Sequence, residues 1–163
     1  MRSEYFSYGL LAALAIALLI AAFTDIRARR ISNKLSLAVA LGAPLFWVAT
    51  GLSPWPGVPL QFAVAAGCLV ICCLFFAIGW MGGGDVKLLT AMALWFPLIE
   101  FLRMMILISI IGLVLTLAFG AWHIARRQRE RVAIPYGVAI AAGGLWSIAD
   151  LFLPALRAAG QTG

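Results

Sequence analysis

Long apolar stretches follow one another along almost the whole chain, and they constrain the fold more than any other feature of the sequence. Six runs are separated by charged residues or by Gly and Pro: Tyr8–Thr24, Leu35–Thr50, Leu60–Trp80, Val86–Ile99, Leu102–Trp122 and Val132–Leu153. A helix needs about 20 residues to cross the hydrocarbon layer of a membrane. Charged residues make up 11% of the chain, against about 25% in a typical soluble domain. The sequence therefore predicts one all-α, polytopic membrane domain over residues 1–163, with about six transmembrane helices.

The basic residues predict how such a bundle is oriented. If all six runs cross the membrane, nine of the 12 Lys and Arg residues fall on one side: Arg27, Arg29, Arg30, Lys34, Lys87, Arg126, Arg127, Arg129 and Arg131. Basic loops favour the cytoplasmic side of a membrane, so we expect both termini on the non-cytoplasmic side of a cytoplasmic (inner) membrane. The net charge of +6 lies in these short loop clusters, a pattern typical of membrane orientation and not of a nucleic-acid-binding face.

Two of the apolar runs need separate comment. The fourth run is only ~21 Å long at 1.5 Å per residue, so we expect its glycine-rich start to lie at membrane depth or the bilayer to be thinner there. The third run contains all three cysteines, Cys68, Cys72 and Cys73, without a CxxC pair. We therefore expect packing or lipid-facing thiols in place of a zinc site or a disulfide framework.

Two aspartates are brought to one membrane face by this topology. Asp25 ends the first run and Asp85 precedes the fourth, both on the predicted cytoplasmic side. Two nearby carboxyls resist ionising together, so such a pair holds one proton. The ionised member takes a proton from water while the protonated member polarises a scissile carbonyl. The pattern predicts aspartic protease chemistry but leaves open which residue is the base, because a coupled pair titrates as a unit.

Each aspartate also has a purely structural interpretation. Asp85 follows three glycines, which allow a substrate backbone to approach closely, but an aspartate after a glycine loop is also an ordinary helix N-cap. Asp25 lies close to Arg27, Arg29 and Arg30, and it is alternatively a solvated ion-pair partner at the end of a helix.

Three short motifs carry a resemblance to a known family. Residues 25–33 read Asp-Ile-Arg-Ala-Arg-Arg-Ile-Ser-Asn, with Ser32 where the family usually has proline in Ile-Pro-Asn. Residues 82–88 read Gly-Gly-Gly-Asp-Val-Lys-Leu and match Gly-x-Gly-Asp-x-Lys-Leu, and residues 134–137 read Ile-Pro-Tyr-Gly and match a Pro-aromatic-Gly motif. In order and spacing, over essentially the whole chain, the sequence resembles the GxGD membrane aspartic proteases, and specifically the type IV prepilin peptidase family.

The resemblance implies an enzyme that removes the short basic leader peptide from prepilins or prepilin-like proteins at the cytoplasmic face of the membrane. Carried over residue by residue, it implies that Asp25 and Asp85 are the catalytic pair. It implies site-shaping or substrate-binding roles for a further set of motif residues: Asn33, Gly82, Gly83, Gly84, Lys87, Pro135, Tyr136 and Gly137. The serine at position 32 removes a rigid φ constraint from its loop.

The resemblance is to the short, peptidase-only form found in Flp (tight-adherence) pilus systems. The chain lacks the cytoplasmic insertion with paired CxxC motifs of the longer prepilin peptidases, which also N-methylate the trimmed pilin with S-adenosylmethionine. No cofactor is therefore implied, and the expected partners are membrane lipid and a prepilin-like substrate with a transmembrane helix. The oligomeric state stays open, as does a bacterial or an archaeal relative, because archaeal preflagellin peptidases share the two-aspartate core.

Two other classes of function remain as alternatives. In a small proton-coupled transporter the two aspartates would relay protons, but such acids usually lie near the membrane midplane and in repeat-related positions. In a non-catalytic pilus assembly subunit the aspartates would only cap helices. Replacement of either aspartate by asparagine discriminates these classes, because it would abolish proteolysis but would barely disturb a scaffold.

Overall fold

The computed structural model describes residues 2–125 and 136–160, and every regular element in these residues is a helix. The elements are α1 (Arg2–Ala28), α2 (Asn33–Thr50), α3 (Gly57–Ala77), α4 (Gly83–Ala93), α5 (Leu98–Ala125) and α6 (Tyr136–Gly160). Among the described residues, α1, α2, α3 and α5 are long and apolar enough to cross a membrane, and α6 contains a shorter apolar stretch. The prediction of an all-α fold with several apolar helices of membrane length is therefore confirmed.

The short helix α4 lies at the centre of the bundle. It packs against α2 and α3 on two sides and contacts α6 on another, while α1 packs against α2 and α6, and α5 packs against α6. Most α4 side chains are buried, among them Leu88, Leu89 and Met92. Many large apolar side chains point outward instead, for example Val48 and Leu41, as lipid-facing positions require. Longer helices therefore surround α4 on three sides.

The fourth apolar run is divided differently from the sequence prediction. It was expected to continue over Val86–Ile99, but α4 ends at Ala93 and α5 begins at Leu98. Pro97 lies in the turn between them and cannot donate a backbone hydrogen bond, which favours a break there. With 11 residues, α4 is only about 16 Å long, even shorter than the sequence suggested.

Side chains from neighbouring helices satisfy the C-terminal end of α4. The buried amide of Gln61 in α3 donates to the carbonyl oxygens of Ala93 at 3.1 Å and Phe96 at 2.6 Å. The indole of Trp47 in α2 donates to the carbonyl oxygen of Leu94 at 2.8 Å. The last carbonyls of a helix lack partners within the helix, and in an apolar environment each needs one. These contacts explain how so short a helix can end within the bundle.

The three cysteines divide between the two faces of α3. Cys68 and Cys72 are buried one helical turn apart, with their sulfur atoms separated by 3.8 Å. Cys73 is exposed on the outer face. The thiols therefore occupy packing and outward-facing positions, as their placement in an apolar run indicated.

Candidate active site

Asp25 lies in the last turn of α1 and is almost fully buried, with 8% of its surface exposed. Its Oδ2 accepts a hydrogen bond from the backbone N–H of Gly137 at 2.7 Å. Shortly after Asp25 the chain leaves the helix through Arg29, which adopts a left-handed backbone conformation with φ of 51°. Because Asp25 is buried against α6, it is not the solvated ion-pair partner of the alternative interpretation.

Asp85 is the third residue of α4 and is half-buried. The residue at the N-cap position is Gly82, so Asp85 does not occupy the cap position of the alternative interpretation. Its carboxylate does form a hydrogen bond with the backbone of Gly82, the interaction that an acidic residue at the third helical position makes in a capping box. Asp85 thus stabilises the first turn of α4 while its carboxyl stays partly exposed.

The surroundings of Asp85 favour its protonated form. The residue lies outside the four candidate membrane spans, and its pKa is raised from 3.8 to about 6. Burial is the largest cause, the negative charge of Asp25 also raises the pKa, and the Gly82 hydrogen bond lowers it. Burial penalises a charged carboxylate, and a like charge nearby has the same direction of effect. The effect of Asp25 on the pKa of Asp85 indicates that the two carboxyls are near each other.

The loop after α1, which carries Asp25, packs closely against the start of α4, which carries Asp85. A Cβ atom added at Gly84 would lie 3.1 Å from the Cβ of Ile31 and 3.4 Å from its backbone nitrogen. Only glycine permits so close an approach without displacement. Ile31 itself is buried. The last glycine of the triplet thus explains how the chain segment following Asp25 can lie directly beside the first turn that carries Asp85.

The other two glycines of the triplet meet different neighbours. A Cβ at Gly82 would lie 3.0 Å from Oδ2 of Asp85, whereas a Cβ at Gly83 would make an ordinary contact of 3.4 Å with the ring of Phe76. Position 82 is therefore restricted by the carboxylate, and position 83 is not restricted by its surroundings.

Lys87 and Asn33 connect two of the sequence motifs directly. The Nζ of Lys87 donates to Oδ1 of Asn33 at 2.9 Å, and both side chains are at the surface. The causes of the raised Asp85 pKa are burial, Asp25 and Gly82. Lys87 is not among these causes. Its side chain instead fastens the start of α2 to the start of α4.

Ser32, which stands in place of the usual proline, is the N-cap of α2. Its side-chain oxygen accepts a hydrogen bond from the backbone N–H of Lys34 at 3.3 Å. Its φ of −66° is the value that a proline ring would impose. The loop therefore keeps a proline-compatible geometry, and a capping hydrogen bond takes the place of the ring constraint.

The third motif lies at the start of α6. Pro135 falls outside the described residues. The ring of Tyr136 packs on α5, where a Cβ at Gly112 would lie 3.2 Å from it. Gly137 is buried against Asp25, and a Cβ there would lie 2.8 Å from Oδ2 and 2.9 Å from the Cβ of that residue. The motif thus places a backbone donor beside the first aspartate.

Two residues that position α4 were not singled out from the sequence: Ile31 contacts its start and Gln61 its C-terminal end. Ile31 has only the weak signal of an apolar residue inside a basic stretch. Gln61 has a stronger one, because an isolated amide side chain within a long apolar run usually has a polar partner on a neighbouring helix. No group of three or more His, Cys, Asp or Glu side chains in residues 2–125 and 136–160 is arranged to hold a metal ion.

Comparison with known proteins gives one match. A model described as the type IV leader peptidase family matches residues 12–117, a range that contains both aspartates and the first two motifs. No curated protein and no solved structure matches the chain.

Proposed function

The chain belongs to the type IV leader peptidase family, and from this membership we propose that it is a membrane aspartic endopeptidase with Asp25 and Asp85 as its catalytic pair. Its substrates would be prepilins or prepilin-like proteins, from which it removes the short basic leader at the cytoplasmic face of the membrane. The observation that carries the proposal is the family match over residues 12–117, and it is supported by the packing of Gly84 against Ile31, which brings the segment after Asp25 beside the first turn that carries Asp85.

The chemistry follows from one proton shared by two carboxyls. The ionised carboxylate takes a proton from water, whose oxygen attacks the scissile carbonyl carbon, while the protonated carboxyl donates to the carbonyl oxygen. A neighbourhood that raises the pKa of Asp85 to about 6 increases the fraction of protonated Asp85 that can supply the acid for this step, and the proposed reaction uses no metal or cofactor. Gly84 would contribute by letting the loop after Asp25 pack directly beside the first turn that carries Asp85.

The membrane topology is part of the proposal. Six helices would cross the bilayer with both termini on the non-cytoplasmic side, because this arrangement places nine of the 12 basic residues in cytoplasmic loops. The location would be a cytoplasmic (inner) membrane. The satisfied C-terminal end of α4 supports this topology, because it allows a helix of 11 residues to end at membrane depth.

The proposed peptidase would act in Flp (tight-adherence) pilus systems, in which the family form that the sequence resembles is found. A prepilin-like substrate anchored by its own transmembrane helix would present its leader junction at the level of the two aspartates. A proton-coupled transporter receives no support from the position of the pair, since both acids lie at helix ends and neither lies in the middle of a long apolar helix.

A cleavage assay in membranes tests the proposal. A tight-adherence prepilin is co-expressed with the wild-type chain, with Asp25→Asn and with Asp85→Asn, and leader removal is followed by mass spectrometry of the pilin. Asp150→Asn is the matched control, because it makes the same change at an exposed aspartate in α6. Detergent size-exclusion profiles confirm that all variants are folded.

The proposal predicts cleavage by the wild type and by Asp150→Asn, and intact prepilin with either active-site variant. Equal processing by all four chains would show that the pair is structural. Loss of cleavage in only one of the two active-site variants would exclude the paired mechanism.

A further inference from the structure

We propose that the groove between α2 and α4 binds one anionic phospholipid, with the phosphate at Lys87 and the upper part of one acyl chain among apolar side chains. The groove has a volume of about 450 Å³, which lies within the range of small-ligand pockets. It is a different site from the one that the two aspartates form, so the proposal does not depend on the proposed peptidase function.

The groove lies on the face of α4 that points away from Asp85. An α-helix completes a turn in 3.6 residues, so successive residues are about 100° apart around its axis. Lys87, Thr90 and Leu94 line the groove. They are rotated from Asp85 by about 200°, 140° and 180°, respectively. A molecule in the groove would therefore contact the back of the helix whose front carries Asp85, which argues against a peptide that is being cleaved and favours a different occupant.

The groove is polar at one end and apolar at the other. Helices α2 and α4 run in the same direction, because Lys87 donates to Asn33 at their starts and the Trp95 indole donates to the carbonyl oxygen of Val39 farther along. Asn33 and Lys87 form the polar end, and the walls become apolar over the next two turns, a length of about 10 Å. The apolar part is lined by Leu37, Ala40, Leu69 and Leu94. A phospholipid has the same order along its length, from the charged phosphate through the ester carbonyls to the hydrocarbon chain.

Ser36 lies between the two ends of the groove and is the residue that points most directly to a ligand. It is 5% exposed, and its Oγ has no hydrogen-bond partner among the residues that the structure describes. A buried hydroxyl in apolar surroundings requires a partner. Thr90, which also lines the groove, donates to the carbonyl oxygen of Val86 at 2.8 Å. The O–H of Ser36 is thus left to donate to a bound molecule, and an ester carbonyl one helical turn below the phosphate is such an acceptor.

The charge at the polar end favours an anion. An ammonium group has three N–H donors, so Lys87 can bind a phosphate without losing its bond to Asn33. No aspartate or glutamate occurs between Asp25 and Asp85. The cations of that segment are Arg27, Arg29, Arg30 and Lys34. Such a surface favours a lipid with a net negative charge over a zwitterionic one.

Native mass spectrometry of the purified full chain in detergent tests the proposal, with phosphatidylglycerol and phosphatidylethanolamine of the same acyl chains as probes. The wild type should bind one phosphatidylglycerol about fivefold more tightly than phosphatidylethanolamine, the preference expected from one lysine at an anionic headgroup. Lys87→Met should remove this preference. Ser36→Ala should weaken the binding of both lipids by about 2- to 10-fold, because both have the ester carbonyl. Ala40→Phe, which fills the apolar part, should also weaken both.

Two control variants make the same kinds of change outside the groove. Lys34→Met removes a neighbouring exposed cation that does not line the groove, and Ala13→Phe enlarges an exposed position on α1. Both should bind the two lipids as the wild type does. Equal losses of the preference in Lys87→Met and Lys34→Met would show a diffuse attraction to basic loops and would overturn the site, as would unchanged binding in Ser36→Ala.

Thermal unfolding without added lipid covers the case in which a variant is unstable. Because its hydroxyl has no partner among the described residues, Ser36→Ala should unfold at the wild-type temperature under these conditions. A lower unfolding temperature would show that the hydroxyl is bonded within the protein, and the proposal would then fail.

Photo-crosslinking in membranes identifies the occupant directly. A benzophenone amino acid in place of Leu37, an exposed residue that lines the groove, should form an adduct with the mass of phosphatidylglycerol. An adduct with co-expressed prepilin or with a second copy of the chain, in place of the lipid, would overturn the proposal.

Discussion

Replacement of Gln61 by leucine should destabilise the bundle and displace the helix that carries Asp85. The side chain is 7% exposed, and its amide donates to the carbonyl oxygens of Ala93 and Phe96. Leucine keeps most of the volume but leaves both carbonyls without that donor. A buried polar group without a partner costs roughly 1–3 kcal/mol, and hydrogen bonds between membrane helices average about 0.6 kcal/mol. We therefore expect Gln61→Leu to lower the free energy of unfolding by about 2–4 kcal/mol.

Two comparison variants grade the effect. Trp47→Phe removes one donor, the bond to the carbonyl oxygen of Leu94, and should cost about 1–2 kcal/mol. Ser109→Ala removes an exposed hydroxyl that bonds only within its own helix, and it should change stability by less than about 0.5 kcal/mol. Unfolding by SDS in mixed micelles, followed by far-ultraviolet circular dichroism, gives the three free energies. The cleavage rate, measured in parallel, should fall for Gln61→Leu in particular.

Surface substitutions normally change the free energy of unfolding by less than about 0.5 kcal/mol. If Gln61→Leu also changes it by less than this, the reasoning is refuted. Such a result would mean that the carbonyls at the end of α4 find other partners at no cost. Equal losses for Gln61→Leu and Ser109→Ala would refute it in the same way, because the loss would then not depend on the bonds between helices.

Three further predictions concern the contacts between motifs. The pKa of Asp85 is raised from 3.8 to about 6 in the folded protein, so between these pH values the folded state binds a proton that the unfolded state has lost. The stability of the wild type relative to Asp85→Asn should therefore fall by up to roughly 3 kcal/mol as the pH rises from about 4 to 6. Detergent unfolding at each pH measures this difference, and a difference that does not change with pH would contradict the raised pKa. Lys87→Met should lower the cleavage rate by less than about tenfold. Because Lys87 and Asn33 share one hydrogen bond, the loss in the double variant with Asn33→Leu should be no larger than the loss in either single variant. Additive losses would show that the two side chains have independent roles. Gly84→Ala should lower the cleavage rate strongly because its Cβ would press on Ile31. Position 67 has open space around it, so Gly67→Ala should cleave prepilin at the wild-type rate. Equal rates in the two variants would contradict the close packing at Gly84.

The sequence predicted those features that depend on patterns within one segment. Apolar runs of membrane length indicated the helices. The placement of Asp25 and Asp85 on one membrane face, which the grouping of basic residues indicates, stays a prediction. The division of the fourth run near Pro97 was missed, because apolar content continues across the break, and the decisive hydrogen bonds come from Gln61 and Trp47 on other helices.

The contacts that assemble the site could not be predicted from spacing. Gly137 lies 112 positions from Asp25 along the chain, and Lys87 lies 54 positions from Asn33. Such pairs depend on how helices rotate and slide against each other, which a single sequence does not encode as a visible period. Motif resemblance named these residues as site-shaping, but the identity of each partner required the three-dimensional arrangement.

The most direct test of the account measures single-turnover cleavage by purified wild type, Asp25→Asn, Asp85→Asn and the double variant, all in lipid nanodiscs with one prepilin substrate. Residues that act as a unit lose nearly all of their effect when any one is removed. We therefore expect each single variant to be slower than the wild type by at least about 1,000-fold, and the double variant to be no slower than either. Losses that multiply in the double variant, or substantial cleavage by either single variant, would contradict the claim that Asp25 and Asp85 work as one catalytic pair.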